Sequence, residues 1–293
     1  MAYKTMEGKT CLITGSTSGI GKEIAIGLAK MNAKVVLVGR NKSRCEEMLE
    51  EIMRNTSSSF DTNNNNLVSY ILADLSSQAS IRQLAEKFLA AHGRLDVLVN
   101  NAGVFLSKRF TTLDGIEYTF AVNHLAPFLL TNLLFERLRS SAPSRVITTS
   151  SVAHKGAQIS FEDIQFERRR YSGVKAYGQS KLANILFTKE LSRRSEGTGV
   201  TSNCFHPGGV KTNLVRGNPW FYRFIWAIIS PFLVSPRRGA DTAIYLASSS
   251  EVEGITGKYF VKRKDVPISG VGDDPDAAVR LWKISEGLTG IRN

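Results

Sequence analysis

The sequence predicts an α/β fold, a doubly wound parallel sheet of about seven strands with helices on both faces. Three observations carry the prediction. From Lys9 onward, short β-branched runs alternate with longer segments of helical periodicity. Several of the short runs, at 34–38 and 95–99, are nearly unbroken apolar sequence, as strands covered on both faces are. The first run ends in a glycine-rich turn directly before a helical pattern.

The elements follow in order. Residues 10–14 read as a strand, and 19–31 as a helix with Ile20, Ile24, Leu28 and Met31 on one face. A strand at 34–38 leads to a polar helix at 43–55, then a strand at 67–73. The helix at 80–91 presents Ile81, Leu84, Ala85 and Phe88 to one side. After the strand at 95–99, one helix carries Phe120, Leu125, Phe128, Leu129 and Leu133. Strands at 145–149 and 200–205 are separated by a long helix over 171–194, and 258–261 reads as the last strand. Residues 56–66, with asparagine at each of 63–66, read as a surface loop lengthening one crossover. No linker divides two cores, so the 293 residues are expected to form a single domain.

Composition narrows the class. With 42% hydrophobic and 22% charged residues the chain is an ordinary globular sequence and not a disordered one. Three scattered cysteines, Cys11, Cys45 and Cys204, make neither a disulfide framework nor a zinc site, and no metal is expected. Lysine and arginine number 38 against 26 acidic residues, a formal charge of +12. Basic clusters stand at Arg168-Arg169-Arg170, Arg193-Arg194, Arg237-Arg238 and Lys262-Arg263-Lys264, but none lies in a nucleic-acid-binding signature. Most of this charge reads as a solvated face, with attraction to anionic lipid as the functional remainder. The N-terminal residues are polar, and the most apolar stretch, 219–234, is broken by Arg223 and Pro231, short of the roughly 20 residues a membrane span needs.

The chemistry gathers at a few points. The first strand runs into Thr14-Gly15-Ser16-Thr17-Ser18-Gly19-Ile20-Gly21 and then a helix. Glycines permit a tight turn and close backbone approach, and the helix N-terminus with its hydroxyls suits a pyrophosphate; a turn that merely needs glycine is the plainer alternative. An NAD site places an acidic residue at the end of the second strand, yet this strand ends Val38-Gly39-Arg40-Asn41, and no acidic residue lies between Glu23 and Glu46. Arg40 instead suits a 2′-phosphate, with Lys22 or Lys42 assisting, which favours NADP(H). In the long helix, Tyr177 and Lys181 stand one turn apart and can share a face. A neighbouring cation stabilises a phenolate and lowers the phenol's pKa.

In this order, Thr14-Gly15-x-x-x-Gly19-Ile20-Gly21, Asn100-Asn101-Ala102-Gly103, Asn123, Ser150-Ser151, Tyr177-x-x-x-Lys181 and Pro207-Gly208 resemble the short-chain dehydrogenase/reductase family. Val122-Asn123-His124-Leu125-Ala126-Pro127-Phe128-Leu129-Leu130, Ser150-Ser151-Val152-Ala153-His154 and Ser180-Lys181-Leu182-Ala183-Asn184 are similar to its NADP(H)-preferring retinol dehydrogenase branch, and so is the tail from Arg280-Leu281-Trp282 to Gly290-Ile291.

The resemblance implies a Rossmann-type core over 7–207, a substrate lid over 208–235 and C-terminal helices with the last strand over 236–293. It implies Tyr177 as general acid in carbonyl reduction and base in alcohol oxidation, and Lys181 as the group that binds the nicotinamide ribose and lowers the Tyr177 pKa. Ser151 would polarise the substrate oxygen, with Ser150 the alternative, and Asn123 would hold a water in a proton relay. The cofactor would be held by Gly15, Ser16, Ser18, Gly19, Ile20 and Gly21, by Arg40, by Asp74 and Leu75 at the adenine, and by Asn101, Ala102 and Gly103. Pro207, Gly208 and Thr212 would border the nicotinamide. Cys204 and His206 are expected to be supporting core.

The implied reaction interconverts a lipophilic alcohol and its aldehyde or ketone, retinol- and retinal-like. A steroid or general carbonyl reductase, or a non-catalytic NADP(H)-binding regulator, are the alternatives. Trp220, Phe221, Tyr222, Phe224 and Trp226 beside Arg223 suit a lid, a bilayer interface or a subunit contact. A cytoplasmic protein with peripheral association to anionic membrane is expected, and a homo-oligomer is the family's habit. Two features depart from the branch: the hydrophobic segment that precedes its glycine loop is not seen here, and the loop at 56–66 is unusual.

Overall fold

The computed structural model describes residues 5–56, 67–210, 234–268 and 270–291. Alternating strands and helices run β1 (Thr10–Thr14), α1 (Gly19–Ala29), β2 (Lys34–Gly39), α2 (Lys42–Thr56), β3 (Val68–Leu72), α3 (Gln78–Ala91) and β4 (Val97–Asn100). A helical stretch made of α4 (Tyr118–Phe120), a π-helical piece (Ala121–Leu125) and α5 (Ala126–Leu133) follows, then α6 (Phe135–Ser140) and β5 (Ser144–Thr149). The long α7 (Gly173–Arg194), β6 (Val200–His206), α8 (Pro236–Ser248), β7 (Tyr259–Val261), β8 (Lys264–Asp265) and α9 (Pro275–Thr289) complete the described elements.

The sheet order is β3-β2-β1-β4-β5-β6-β7-β8. All pairs are parallel except the last, where two-residue β8 folds back on β7. That edge hairpin takes the count to eight against an expected seven or so, being too short to leave a strand pattern in the sequence. Ile24 and Leu28 of α1, Met48 and Ile52 of α2, and Ala243 and Leu246 of α8 pack on one face of the sheet. Phe88 of α3, Phe128 of α5, Phe187 of α7 and Trp282 of α9 pack on the other. Both faces are therefore buried, which is why the strands lack polar alternation.

The helix expected through 120–133 is interrupted. Pro127 has no N–H to give the carbonyl four residues back, that of Asn123, so the α-ladder cannot run through this point. The Ala126 N–H instead reaches the Ala121 carbonyl, five residues back. The long helix starts at Gly173, two residues later than expected, because the Ser172 side chain caps it by accepting from the Lys175 N–H.

At the amino ends of the strands, Asp96 is 2% exposed and ties the start of β1 to the turn before β4. It accepts from the Thr10 N–H at 2.9 Å, Lys9 Nζ at 2.9 Å and Arg94 Nη2 at 2.6 Å. At the other end, Val210 and Val234 form a parallel bridge, and the Val234 N–H donates to the Gly209 carbonyl at 2.8 Å. Residues 211–233, with Thr212 and the expected aromatic lid, lie outside the described residues, as does the expected loop after Thr56. Among the described residues no helix is long and apolar enough to cross a membrane.

Candidate active site

The candidate residues collect at the carboxyl ends of β1, β4, β5 and β6, where an open parallel sheet leaves a crevice. The turn after β1 is built around close approach. Gly15 has φ +65°, and a Cβ there would stand 2.9 Å from the Ala102 Cα. Thr14 pins the two loops: its hydroxyl accepts from the Asn101 N–H at 3.0 Å and the Ala102 N–H at 3.1 Å. The Asn101 side chain donates to the Thr14 carbonyl at 3.0 Å.

Within the glycine turn the two serines differ. Ser16 is fully buried, with its hydroxyl accepting from the Val38 N–H at 3.0 Å, so that side chain braces β2 instead of facing the crevice. Ser18 stands at the N-cap of α1 with no side-chain capping bond, which leaves its hydroxyl for a ligand. Arg40, at the end of β2, is exposed and has no ion pair among the described residues. The two lysines expected to assist it are taken: Lys22 pairs with Glu51 at 2.6 Å and Lys42 with Glu46 at 3.7 Å.

Asp74 is exposed after β3 and spends one carboxylate oxygen on the Ser76 N–H and hydroxyl, at 2.9 and 2.8 Å. Leu75 packs partly on the core. Pro207 and Gly208 follow directly on β6.

The remaining candidates converge. Lys181 is 2% exposed, and its ammonium donates to the Thr149 carbonyl at 3.1 Å. It stands 5.5 Å from the centroid of the half-buried Tyr177 ring. Ser151 is the side chain that acts on the Tyr177 phenol and holds its pKa down against burial, whereas the Ser150 hydroxyl turns away and donates to the Lys181 carbonyl at 2.8 Å. Asn123 spends its side chain on structure: Oδ1 accepts from the Val104 N–H at 2.7 Å, and Nδ2 donates to the Val104 carbonyl at 2.9 Å and Ser180 Oγ at 3.0 Å. Gly103 lets the chain pass over the centre; a Cβ there would lie 3.3 Å from Asn123 Oδ1 and 3.5 Å from Lys181 Nζ.

Burial dominates the titration of this centre. It pushes the Tyr177 phenol up to about 12 against the lowering influence of Ser151, and the Lys181 ammonium down to about 8. The net shift on Tyr177 is opposite to the one the sequence leads one to expect from its lysine neighbour, because burial dominates and the groups that act on the phenol do not include Lys181. Cys204 is buried with its thiol pushed up to about 12, and burial lowers His206 to about 4, so neither is charged at neutral pH.

Comparison with known proteins identifies the family. The short chain dehydrogenase family matches residues 9–219. The chain belongs to that family. Retinol dehydrogenase 14 of Mus musculus is 44% identical over 297 residues, covering 98% of this chain and 87% of the relative. Retinol dehydrogenase 12 of Homo sapiens is 44% identical, covering 98% and 88%. Among solved structures, an uncharacterised protein from Mycobacterium paratuberculosis superposes with a TM-score of 0.78 at 30% identity, covering 99% of this chain and 96% of that one. The complex of Pseudomonas aeruginosa RhlG with NADP superposes with a TM-score of 0.67 at 28% identity, covering 87% and 95%.

This short chain dehydrogenase is thus an oxidoreductase on a Rossmann-type fold, with retinol dehydrogenases among its relatives. Two residues important to the site escaped the sequence reading. Thr14 could have been found, since it directly precedes the glycine turn. Thr149 could not, because it acts through its main-chain carbonyl and any residue type offers one.

Proposed function

We propose that this chain is an NADP(H)-dependent oxidoreductase that interconverts a lipophilic alcohol and its aldehyde or ketone, with Tyr177 as general acid and base. The observation that carries the proposal is the buried Lys181 ammonium set 5.5 Å from the centroid of the Tyr177 ring, with Ser151 acting on the same phenol, in the crevice into which the glycine turn also opens. The crevice suits a dinucleotide. Gly15 and Ala102 bring two backbones into contact, Ser18 keeps an uncapped hydroxyl at a helix N-terminus, and Arg40 offers, at the end of β2, a guanidinium with no ion pair among the described residues.

When bound, the nicotinamide supplies or accepts the hydride. The chain's own residues do the rest. Ser151 donates to the substrate oxygen and polarises the carbonyl. Tyr177, protonated at neutral pH, delivers its proton to that oxygen, and Lys181 stabilises the phenolate left behind and binds the ribose hydroxyls. Asn123 keeps Val104 and Ser180 in place around this centre.

Support for the lipophilic substrate comes from the retinol dehydrogenase relatives and from Phe105, whose ring meets the Tyr177 ring edge-on at 5.8 Å. The test is a screen of all-trans-retinal, steroid ketones and simple aldehydes with NADPH and NADH. Oxidation of NADPH by the apolar carbonyls is expected, and Tyr177→Phe should lose nearly all of it while still binding NADPH. Wild-type turnover by that variant would reject the mechanism. Preference for steroid ketones over retinal would replace the retinal-like substrate with a steroid.

A further inference from the structure

The turn that follows β5 is clamped by a side chain that the proton transfer does not itself use. Ser151 opens a one-turn 3-10 helix, Val152–His154, and its hydroxyl oxygen accepts from the Ala153 N–H at 3.2 Å. The Ser151 carbonyl accepts twice from one residue, from the His154 N–H at 3.1 Å and from His154 Nδ1 at 2.6 Å. His154 is 8% exposed. Its ring meets that of Tyr259 edge-on, with centroids 5.0 Å apart, so it is wedged between the Ser151 backbone and β7. The same turn bears on α7. A Cβ at Gly178, the residue after Tyr177, would stand 2.8 Å from the Ala153 carbonyl oxygen, so turn and helix meet beside the phenol-bearing residue.

Donor and acceptor chemistry fixes the state of the ring. A main-chain carbonyl only accepts, so Nδ1 must carry the proton. Burial holds the imidazole below its ordinary pKa against the pull of the Ser151 carbonyl, so at neutral pH the ring is neutral and Nε2 is bare. Protonation at lower pH adds a hydrogen at Nε2 and leaves the Nδ1 bond intact. The Ser151 hydroxyl has a single hydrogen. Because its oxygen accepts from the Ala153 N–H, that hydrogen points away from the turn. Where it points depends on the shape of the turn. One 3-10 backbone bond is a weak restraint on that shape, and the ring adds a second, shorter bond to the same carbonyl.

We propose that His154, as the Nδ1–H imidazole bonded to the Ser151 carbonyl, is a positioning residue for the Ser151 hydroxyl. The ring holds the turn closed, and the turn brings the Ala153 N–H to the hydroxyl oxygen. The contact at Gly178 then sets that oxygen against the Tyr177 end of α7. The functional part of this inference rests on the proposed role of Ser151; the ring bond does not.

Two measurements test it. In wild-type protein labelled with 15N-histidine, long-range 1H–15N spectra report the tautomer of each of the four rings. The His154 signals are those missing from the His154→Asn variant. A neutral Nδ1–H ring is expected at neutral pH; an Nε2–H ring overturns the proposal, whether or not the protein turns over substrate. The second measurement compares initial rates with NADPH and all-trans-retinal. His154→Gln carries its amide near the Nε2 position and leaves the Ser151 carbonyl without its ring donor. Its kcat should fall about tenfold, with the retinal KM nearly unchanged. His154→Asn places an amide N–H near the Nδ1 position and should recover most of that loss. In a Ser151→Ala background, the change to Gln should lower kcat no further, because the hydroxyl it positions is gone. Equal rates in the Gln and Asn variants, or the same fall in the Ser151→Ala background, overturns the positioning role. No carbonyl turnover by the wild-type protein rejects the proposed function, and the tautomer then decides the ring bond alone. It decides alone also if the variants do not fold.

Discussion

The Lys181 ammonium lies over the Tyr177 ring, 5.5 Å from its centroid and one helical turn along α7. A cation in this position is attracted by the negative face of the ring, so the pair is held together before any substrate arrives. Burial shifts the two groups in opposite directions, the phenol up to about 12 and the ammonium down to about 8. The phenol therefore keeps its proton at neutral pH, while Lys181 loses its charge as pH rises through about 8. Carbonyl reduction is expected to hold level between pH 6 and 7 and to decline above pH 8. A rate that stays level to pH 10 in steady-state assays would contradict the assignment.

Ser150 and Ser151 are neighbours with different duties. Ser150→Ala removes a buried hydrogen bond to the Lys181 carbonyl and should cost about 1 kcal/mol of stability with little effect on kcat. Ser151→Ala removes the hydroxyl that acts on the Tyr177 phenol and should lower kcat about a hundredfold or more. Denaturant titration and initial rates on both variants separate the two effects. Reversed results would exchange the roles.

Arg40 has no acidic partner among the described residues, whereas Lys22 and Lys42 each have one. Arg40→Asp should therefore weaken NADPH without weakening NADH. A lost charge-assisted contact of about 1.5–3 kcal/mol corresponds to roughly 10- to 150-fold in the Kd ratio. Equal affinities before and after the change would remove the 2′-phosphate role.

Asp96 has a depressed pKa. Burial raises it, but the Arg94 side chain, the Thr10 N–H and Lys9 outweigh burial and hold the carboxyl below its ordinary range. Its contribution to stability is complete above the ordinary aspartate pKa and is lost as pH falls through the depressed value. Arg94 and Lys9 are 50% and 36% exposed, so water screens them, and Asp96→Asn should cost about 2 kcal/mol at pH 7. The difference between the two proteins in urea titrations should shrink toward pH 3. A difference independent of pH would show that the charge is not what stabilises this corner.

The +12 net charge and the aromatic residues at 220–226 underlie a proposal of peripheral attachment to anionic membrane. Flotation with phosphatidylserine-containing liposomes should carry the protein upward at low salt and lose it at high salt. Flotation unaffected by salt, or none at all, would reject this electrostatic attachment.

Much of the fold could be read from the chain because local pattern and tertiary packing agree in a doubly wound sheet. Unbroken apolar runs became central strands, and Ile24, Leu28 and Phe88 went to the core as their helical spacing required. The motif residues were legible because they sit at strand ends and on one helix face, where spacing alone places them. The break at Asn123 was not read, although Pro127 four residues later carries the reason.

What the sequence determined by itself is the order of strands and helices, the glycine turn, and the choice of side chains at the crevice, since each depends on local periodicity and residue chemistry. Only the tertiary structure decided which serine acts on the phenol, that Lys22 and Lys42 are paired while Arg40 has no ion pair among the described residues, and which carbonyl aims Lys181. Those outcomes depend on donors and acceptors brought together from distant parts of the chain in a buried space where every polar atom needs a partner.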